Sequence, residues 1–322
     1  MKTLSQLTDF YYATLYPSIL ELEETRKQLL KKISLYAVFL GIFTFFLFYI
    51  ATDSLKHVTI LAASLAIAFF LGVGSFFYKF LTQDFTDGFK IKVIKPLIHE
   101  IGDQLSYEPL SMMPLELFKT SELFTQPIDR YEGADFVTGT IDDVKISFSF
   151  LHVKTEEKDS KNQKRDVTIF QGLFIAIPFN KYFKNSTIIL PDKAQNIFGS
   201  LIGNLMQSYN FQRPQLIKMD DPEFEKEFVV YGTDQIEARY ILSHSMMQRV
   251  LELKKRVGKP VYLSFKNGMV FIAIDYRKDL FTPSLFRSFL EYKVALEYIQ
   301  SLQMTLAIVQ ELKLNENLWS KW

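Results

Sequence analysis

Apolar and polar positions alternate along this chain with three different rhythms. The first has no alternation at all: Ile33 to Ile50 and Val58 to Tyr78 run without a charge and are separated by the polar stretch Ala51 to His57. At a rise of 1.5 Å per residue these runs span roughly 27 and 31 Å, the thickness of a bilayer hydrocarbon core. They predict a transmembrane hairpin. About 32 residues precede the first run and no small-residue cleavage site follows it, so the pattern is that of a retained anchor and not of a signal peptide. Arg26, Lys27, Lys31 and Lys32 lie before the hairpin, Lys79, Lys90, Lys92 and Lys95 lie after it, and the connecting loop holds only Lys56. This asymmetry predicts a multi-pass protein of the cytoplasmic (inner) membrane with both termini cytoplasmic.

The second rhythm is helical. Leu4, Leu7, Tyr11, Leu15, Ile19, Leu22 and Leu29 form a stripe that predicts an amphipathic lead-in helix over residues 1–32, with Glu23 and Lys27 paired four residues apart. The stripe predicts a helix that continues into the first span, bent near Pro17, and that packs on the protein's own soluble part or on a second copy. A place in the headgroup layer is disfavoured because no strongly basic face accompanies the stripe. Within the second span Ser64, Ala68 and Gly72 put small side chains on one face, a candidate helix-packing surface for the first span or for another copy.

The third rhythm begins after a proline-interrupted connector, residues 82–130. Val144, Ile146, Phe148 and Phe150 alternate with Lys145, Ser147 and Ser149, the period of a half-buried strand. The charged stretch Lys154 to Asp166 reads as a solvated hairpin loop, and Thr168 to Ile177, apolar on both faces, reads as a central strand. Thr187 to Leu190 predicts a further strand. Val261 to Phe265 and Met269 to Asp275 flank Asn267-Gly268, a pair suited to a turn with two positive φ values. Ser243 caps a predicted helix ending at Gly258, and Thr282-Pro283 opens the longest soluble helix, reaching Leu314. The expected organisation is α+β: a transmembrane hairpin at 33–81 (33–50 and 58–78), then a cytoplasmic domain, 131–322, with a mainly antiparallel sheet packed by helices and a long C-terminal helix.

Composition narrows the chemistry. The 322 residues carry a net charge of +1 and no cysteine. Nucleic-acid binding lacks its basic footprint, and disulfides, thiolate metal sites and cysteine nucleophiles are excluded. His57, His99, His152 and His244 stand at no convergent spacing, so no metal ligand set or cofactor is expected. Ser243, His244 and Ser245 open a helix without a nucleophile elbow, and capping explains them better than catalysis. The pairs Asp142-Asp143 and Asp220-Asp221 sit in turns, where aspartate satisfies backbone donors. No phosphate-binding loop is present; Gly72 and Gly74 lie in the second span, and Gly199 and Gly203 have no basic neighbour.

The chain resembles a bacterial family of uncharacterised membrane proteins, domain of unknown function 3137. The resemblance rests on Leu20-Glu21-Leu22-Glu23-Glu24-Thr25-Arg26 before the spans, on Phe170-Gln171-Gly172-Leu173-Phe174, on Glu223 to Tyr231 and on Ala238-Arg239-Tyr240-Ile241-Leu242. It implies architecture and a bacterial membrane, with no catalytic residue to carry over. Physically, Gly172 inside a strand signals a bulge or a close backbone approach, Asp234 and Glu237 suggest a capping pair, and Phe224, Phe228 and Tyr231 read as core. Arg239, set among apolar neighbours, is the candidate ligand or ion-pair residue, an internal carboxylate being the favoured partner. The functional expectation is a non-enzymatic, membrane-anchored binding or scaffold module whose partners are the lipid bilayer and a membrane-associated protein or a second copy. The alternatives are a membrane-surface hydrolase acting on lipid or peptide, and a small-ligand sensor.

Overall fold

A computed structural model describes residues 2–54, 59–141, 143–158, 162–179, 184–192 and 214–312. His57, Asp142, Gly199 and Gly203 therefore lie outside the described residues. The chain divides into two compact units, one made of Lys2–Leu97 with Phe281–Ile299, the other of Ile98–Leu280 with Gln300–Trp322.

The first unit is helical. Helix α1 (Leu4–Ala13) opens with a reciprocal capping box between Thr3 and Gln6. It stops before α2 (Tyr16–Ser54), so the lead-in is two helices and not one bent helix. Pro17 falls in the first turn of α2, where a missing N–H costs no helical hydrogen bond. The predicted stripe turns inward: Leu7, Tyr11, Leu15, Ile19 and Leu22 are all buried. Helix α3 (Thr59–Phe89) returns beside α2, with Tyr36 stacked on Phe77 and Phe43 against Phe69. Both helices are long and apolar enough to cross a membrane, and only 6 % of each apolar window is buried within the chain. A π-helical turn, Lys90–Ile94, and α4 (Lys95–Ile101) follow.

The second unit is built on an antiparallel sheet. Its strands among the described residues are β1 (Leu105–Glu108), β2 (Arg130–Ile141), β3 (Val144–Lys158), β4 (Lys164–Pro178), β5 (Thr187–Pro191), β6 (Gln215–Ile217), β7 (Phe228–Gly232), β8 (Val261–Lys266) and β9 (Met269–Ile274). They lie in the order β1-β2-β3-β4-β9-β8-β5-β7-β6, and every pairing is antiparallel. The α+β class holds. Short helices α5 (Leu115–Thr120), α6 (Pro222–Glu227), α7 (Gln235–Ile241) and α8 (His244–Val257) punctuate the strands, and α9 (Tyr292–Glu311) follows them.

β4 is central, as its two-sided apolar pattern requires, and Leu173 to Ile177 are buried without a break. One sheet face packs Phe174, Phe271 and Tyr262 under Phe118 and Phe124, whose rings stack at 5.4 Å. Asn267 and Gly268 take φ values of 53° and 69°, the geometry expected for the β8–β9 turn. Gly172 shows why it is a glycine: a Cβ there would sit 1.9 Å from the Ile274 carbonyl oxygen.

Four further expectations are corrected. The charged stretch Lys154 to Asp166 is mostly strand, because Glu156, Glu157 and Lys158 pair with Asp166, Arg165 and Lys164 as β3 and β4 extend together. Charges opposed in the ladder find partners of opposite sign, Lys164 with Glu156 at 2.7 Å and Arg130 with Asp166 at 3.0 Å. The connector contains β1, a four-residue edge strand too short to show a period. β2, β6 and β7 also extend the sheet beyond the strands read from alternation. The C-terminal helix starts at Tyr292 and not at Thr282, for a reason that lies in the first unit.

Candidate functional sites

Glu23 and Arg26 are one turn apart on α2, and both are buried, with 3 % and 8 % exposure. Arg26 Nε donates to Glu23 Oε2 at 2.9 Å and Nη2 donates to Oε1 at 2.6 Å, a two-pronged ion pair. The remaining valences reach the segment before α9. Arg26 Nη1 donates to the Leu285 carbonyl at 2.6 Å, and the Phe289 amide donates to Glu23 Oε2 at 3.3 Å. In an α-helix the amide of residue 289 would bond the carbonyl of residue 285. The ion pair occupies both of those groups, so this segment is held irregular and α9 begins only afterwards. Tyr11 adds a third tie by donating to the Phe289 carbonyl at 3.2 Å, and the Phe289 ring packs 4.9 Å from Phe89. Sequence reasoning used Arg26 as a flanking charge, Glu23 as a partner of Lys27 and both within the segment that carries the resemblance, without pairing them with each other. An acid and a base spaced one turn apart beside the buried stripe was the signal available.

In the sheet unit a charged open cleft of about 410 Å³ lies between the end of α8, the end of α6 and β5. Lys226, Lys254, Lys255 and Lys259 line it together with Asp192 and Glu227. Lys254 pairs with Glu227, and its ammonium stands 5.2 Å over the Phe228 ring. Lys226, Lys255 and Lys259 have no ion-pair partner among the described residues. Lys254, Lys255 and Arg256 occupy the last turn of α8, where positive charge complements the helix dipole, so part of this basicity serves the helix. Lys226 comes from a different helix, which is why sequence spacing did not reveal the cluster. A second polar cleft, about 450 Å³, is lined by Glu122, Lys184, Asn185, Thr233 and Lys266, with Lys266 paired to Glu122.

The residues singled out from sequence are dispersed. Arg239, on α7, donates to Asp220 Oδ2 and to the Lys218 carbonyl, both at 3.0 Å. The partner is a carboxylate, but the pair is at the surface, with the Arg239 side chain 41 % exposed. His244 lies 3.4 Å from Asp221 and is 78 % exposed, while Ser243 shares its hydroxyl with Ser245 instead of capping α8. Neither Arg239 nor His244 borders the clefts above. Asp221 caps α6 through the amides of Glu223 and Phe224. The Phe224 amide, then the Gln248 side chain, the Glu223 amide and nearby His244 hold its carboxyl below the usual range against the opposing effect of burial. Burial, then Lys154, pushes the His152 imidazole down, with Glu132 opposing. Asp234 caps α7, but Glu237 turns to Asn185 in place of closing a capping box. Ser64, Ala68 and Gly72 are exposed on α3, and a Cβ at Gly72 would meet nothing within 4 Å.

Sequence reasoning passed over Asp135. It sits fully buried at a bulge in β2 with φ 63°, and the Tyr107 hydroxyl donates to its carboxylate. The signal available was an acid set among Ala134, Phe136 and Val137.

These features can be set beside known proteins. Residues 168–314 match the family model described as "Protein of unknown function (DUF3137)". The matched stretch runs from within β4 through α9 and contains Phe170 to Phe174, Glu223 to Tyr231 and Ala238 to Leu242, three of the segments on which the resemblance was read. No curated protein matches the chain. Among solved structures, the crystal structure of the mycobacterial trehalose monomycolate transport factor A, TtfA, is similar at 10 % identity, over 67 % of this chain and 92 % of that chain, with a TM-score of 0.34.

Proposed function

We propose that the protein is a bacterial inner-membrane module with both termini cytoplasmic, whose sheet unit docks an acidic segment of another membrane-associated protein. The observation that carries this reading is the lysine cleft. Three ammonium groups without an ion-pair partner among the described residues, converging on one concavity from α6, from α8 and from the bend after α8, favour a carboxylate-rich partner through charge complementarity. The apolar hairpin would tether the chain to the bilayer, where a membrane-associated partner is at high effective concentration.

The reading is tested in native membranes with a photo-crosslinking residue placed at Ser245 or at Lys259. A defined polypeptide adduct from position 259 that is absent from position 245, and that is lost when Lys226 and Lys255 are both changed to Glu, is the expected result. Equal labelling from both positions, or an adduct indifferent to those substitutions, would overturn it. Topology is read separately: reporters fused at residues 1 and 322 should both signal from the cytoplasm, and opposite signals would end the hairpin.

A further inference from the structure

Between α2 and α3 runs an apolar groove of about 390 Å³, bordered by α2 from Ile33 to Phe43 and by α3 from Phe70 to Leu81. Small residues leave room in its wall. Gly74 and Ala37 form part of its wall, and a Cβ on Gly74 would lie 3.7 Å from Leu40, in ordinary contact and directed into the space between the helices. Ten residues of helix make the groove about 15 Å long, half of a hydrocarbon core of roughly 30 Å. It therefore has the depth of one leaflet.

The charges at one end indicate what occupies it. Ile33 and Leu81 mark the mouth; Lys31 and Lys32 stand immediately before Ile33 on α2, and Lys79 stands on α3 two residues before Leu81, about 3 Å along the helix from the mouth. All three are exposed, and none has an ion-pair partner among the described residues. Tyr36, four residues after Lys32, and Tyr78, next to Lys79, line the groove, where a ring can sit in hydrocarbon and its hydroxyl at the headgroup level. A second hairpin would fill the apolar volume but would bring its own three lysines to the same rim, opposing like charges. An anionic lipid satisfies both ends.

We infer that the groove between α2 and α3 is a specific site for one acyl chain of an anionic phospholipid whose headgroup is held by Lys31, Lys32 and Lys79. The inference rests on the membrane reading given under the proposed function. It adds that one lipid class is retained in the cytoplasmic leaflet by the anchor itself.

The test uses the full chain, purified in mild detergent and titrated with phosphatidylglycerol or phosphatidylcholine of identical acyl chains, with bound lipid counted by native mass spectrometry. One phosphatidylglycerol per chain, with a preference of about tenfold, is expected. Lys31→Gln, Lys32→Gln and Lys79→Gln together should reduce the preference to under about twofold, because the charge at the rim is removed while the apolar groove is intact. Gly74→Leu should abolish retention of either lipid while leaving far-ultraviolet circular dichroism unchanged. Equal retention of both lipids by the native chain, or undiminished binding in Gly74→Leu, would overturn the site. A lipid-free dimer would overturn it in favour of a second copy. A chain that stays monodisperse without detergent would instead overturn the membrane reading, so the two failures are distinguishable.

Discussion

The two units use the same residue types against different surroundings. In the hairpin Phe45 is 70 % exposed within the chain, whereas in the sheet Phe174 is fully buried. Strands β4, β8 and β9 reach this state by having both faces covered, so their apolar content is spent inside the protein. Helices α2 and α3 leave theirs outside, which is favourable only where the solvent is itself hydrocarbon. The lesson is that hydrophobicity alone does not define a core. What separates the units is whether polar groups accompany the apolar ones: the sheet unit interleaves both, and the spans between Ile33 and Ile50 and between Val58 and Tyr78 have none with charge.

The comparison breaks most sharply at single phenylalanines. Phe174→Ala should destabilise the sheet unit by about 3–5 kcal/mol, and Phe45→Ala should change it by less than about 0.5 kcal/mol, measured by denaturant unfolding in detergent micelles. Similar losses from the two sites would mean that Phe45 is covered by protein and not by lipid.

The helical unit has a polar core element of its own, and it is nearly as sensitive. Arg26→Met leaves the Glu23 carboxylate buried without its partner and should cost about 3–5 kcal/mol, with loss of order between Thr282 and Glu291 seen as faster amide exchange. Replacing both residues, Glu23→Leu with Arg26→Met, should recover much of that stability, because a well-packed apolar pair avoids the desolvation cost. In the double variant α9 is free to extend toward residue 282, since the Leu285 carbonyl and Phe289 amide become available to each other.

A smaller effect is expected where the sheet depends on close backbone approach. Gly172→Ala places a methyl group against the Ile274 carbonyl and should cost about 1–3 kcal/mol through displacement of β9 from β4. Tyr107→Phe, which removes the donor to buried Asp135, should cost about the same at the opposite side of the sheet. If Gly172→Ala were neutral, the β4–β9 contact would have to be looser than its register shows.

The weakest signal is a pH dependence. The Asp221 carboxyl is held below its ordinary value in the folded chain, so its contribution is complete above the unfolded value and is lost as pH falls through the folded one. Asp221→Asn should therefore be less stable than the native chain at neutral pH, and the two should converge in acid, below the ordinary carboxylate range. Parallel acid-unfolding curves separated by a constant offset would show that the cap does not depend on charge.

Much of the architecture was legible because it follows from local rules. Two charge-free runs of bilayer length have one stable environment, Asn267-Gly268 admits the positive φ of a tight hairpin, and the helical stripe from Leu7 to Leu22 has only one face to bury. The β3–β4 extension was misread because charge suggests solvent, while the strands there are held by a ladder that continues from the buried sheet and by cross-strand ion pairs. β1 was missed because four residues are too few for a period, and its partners in β2 lie 28 to 34 residues further along the chain. The lysine cleft depends on α6 and α8 meeting, which no spacing encodes.

The sequence by itself determined where apolar surface must be removed from water, the antiparallel character of the sheet and the helical lead-in, since periodicity and composition are properties of neighbouring residues. The tertiary structure alone decided that Arg239 serves a surface pair, that Glu23 and Arg26 bind the chain at Leu285 and Phe289, and that α9 therefore starts at Tyr292. Thr282-Pro283 is a sound local start for a helix, but a buried ion pair from residues more than 250 positions away claims the backbone groups that helix would need. A long-range charge-assisted bond outweighs a local propensity worth only tenths of a kcal/mol per residue.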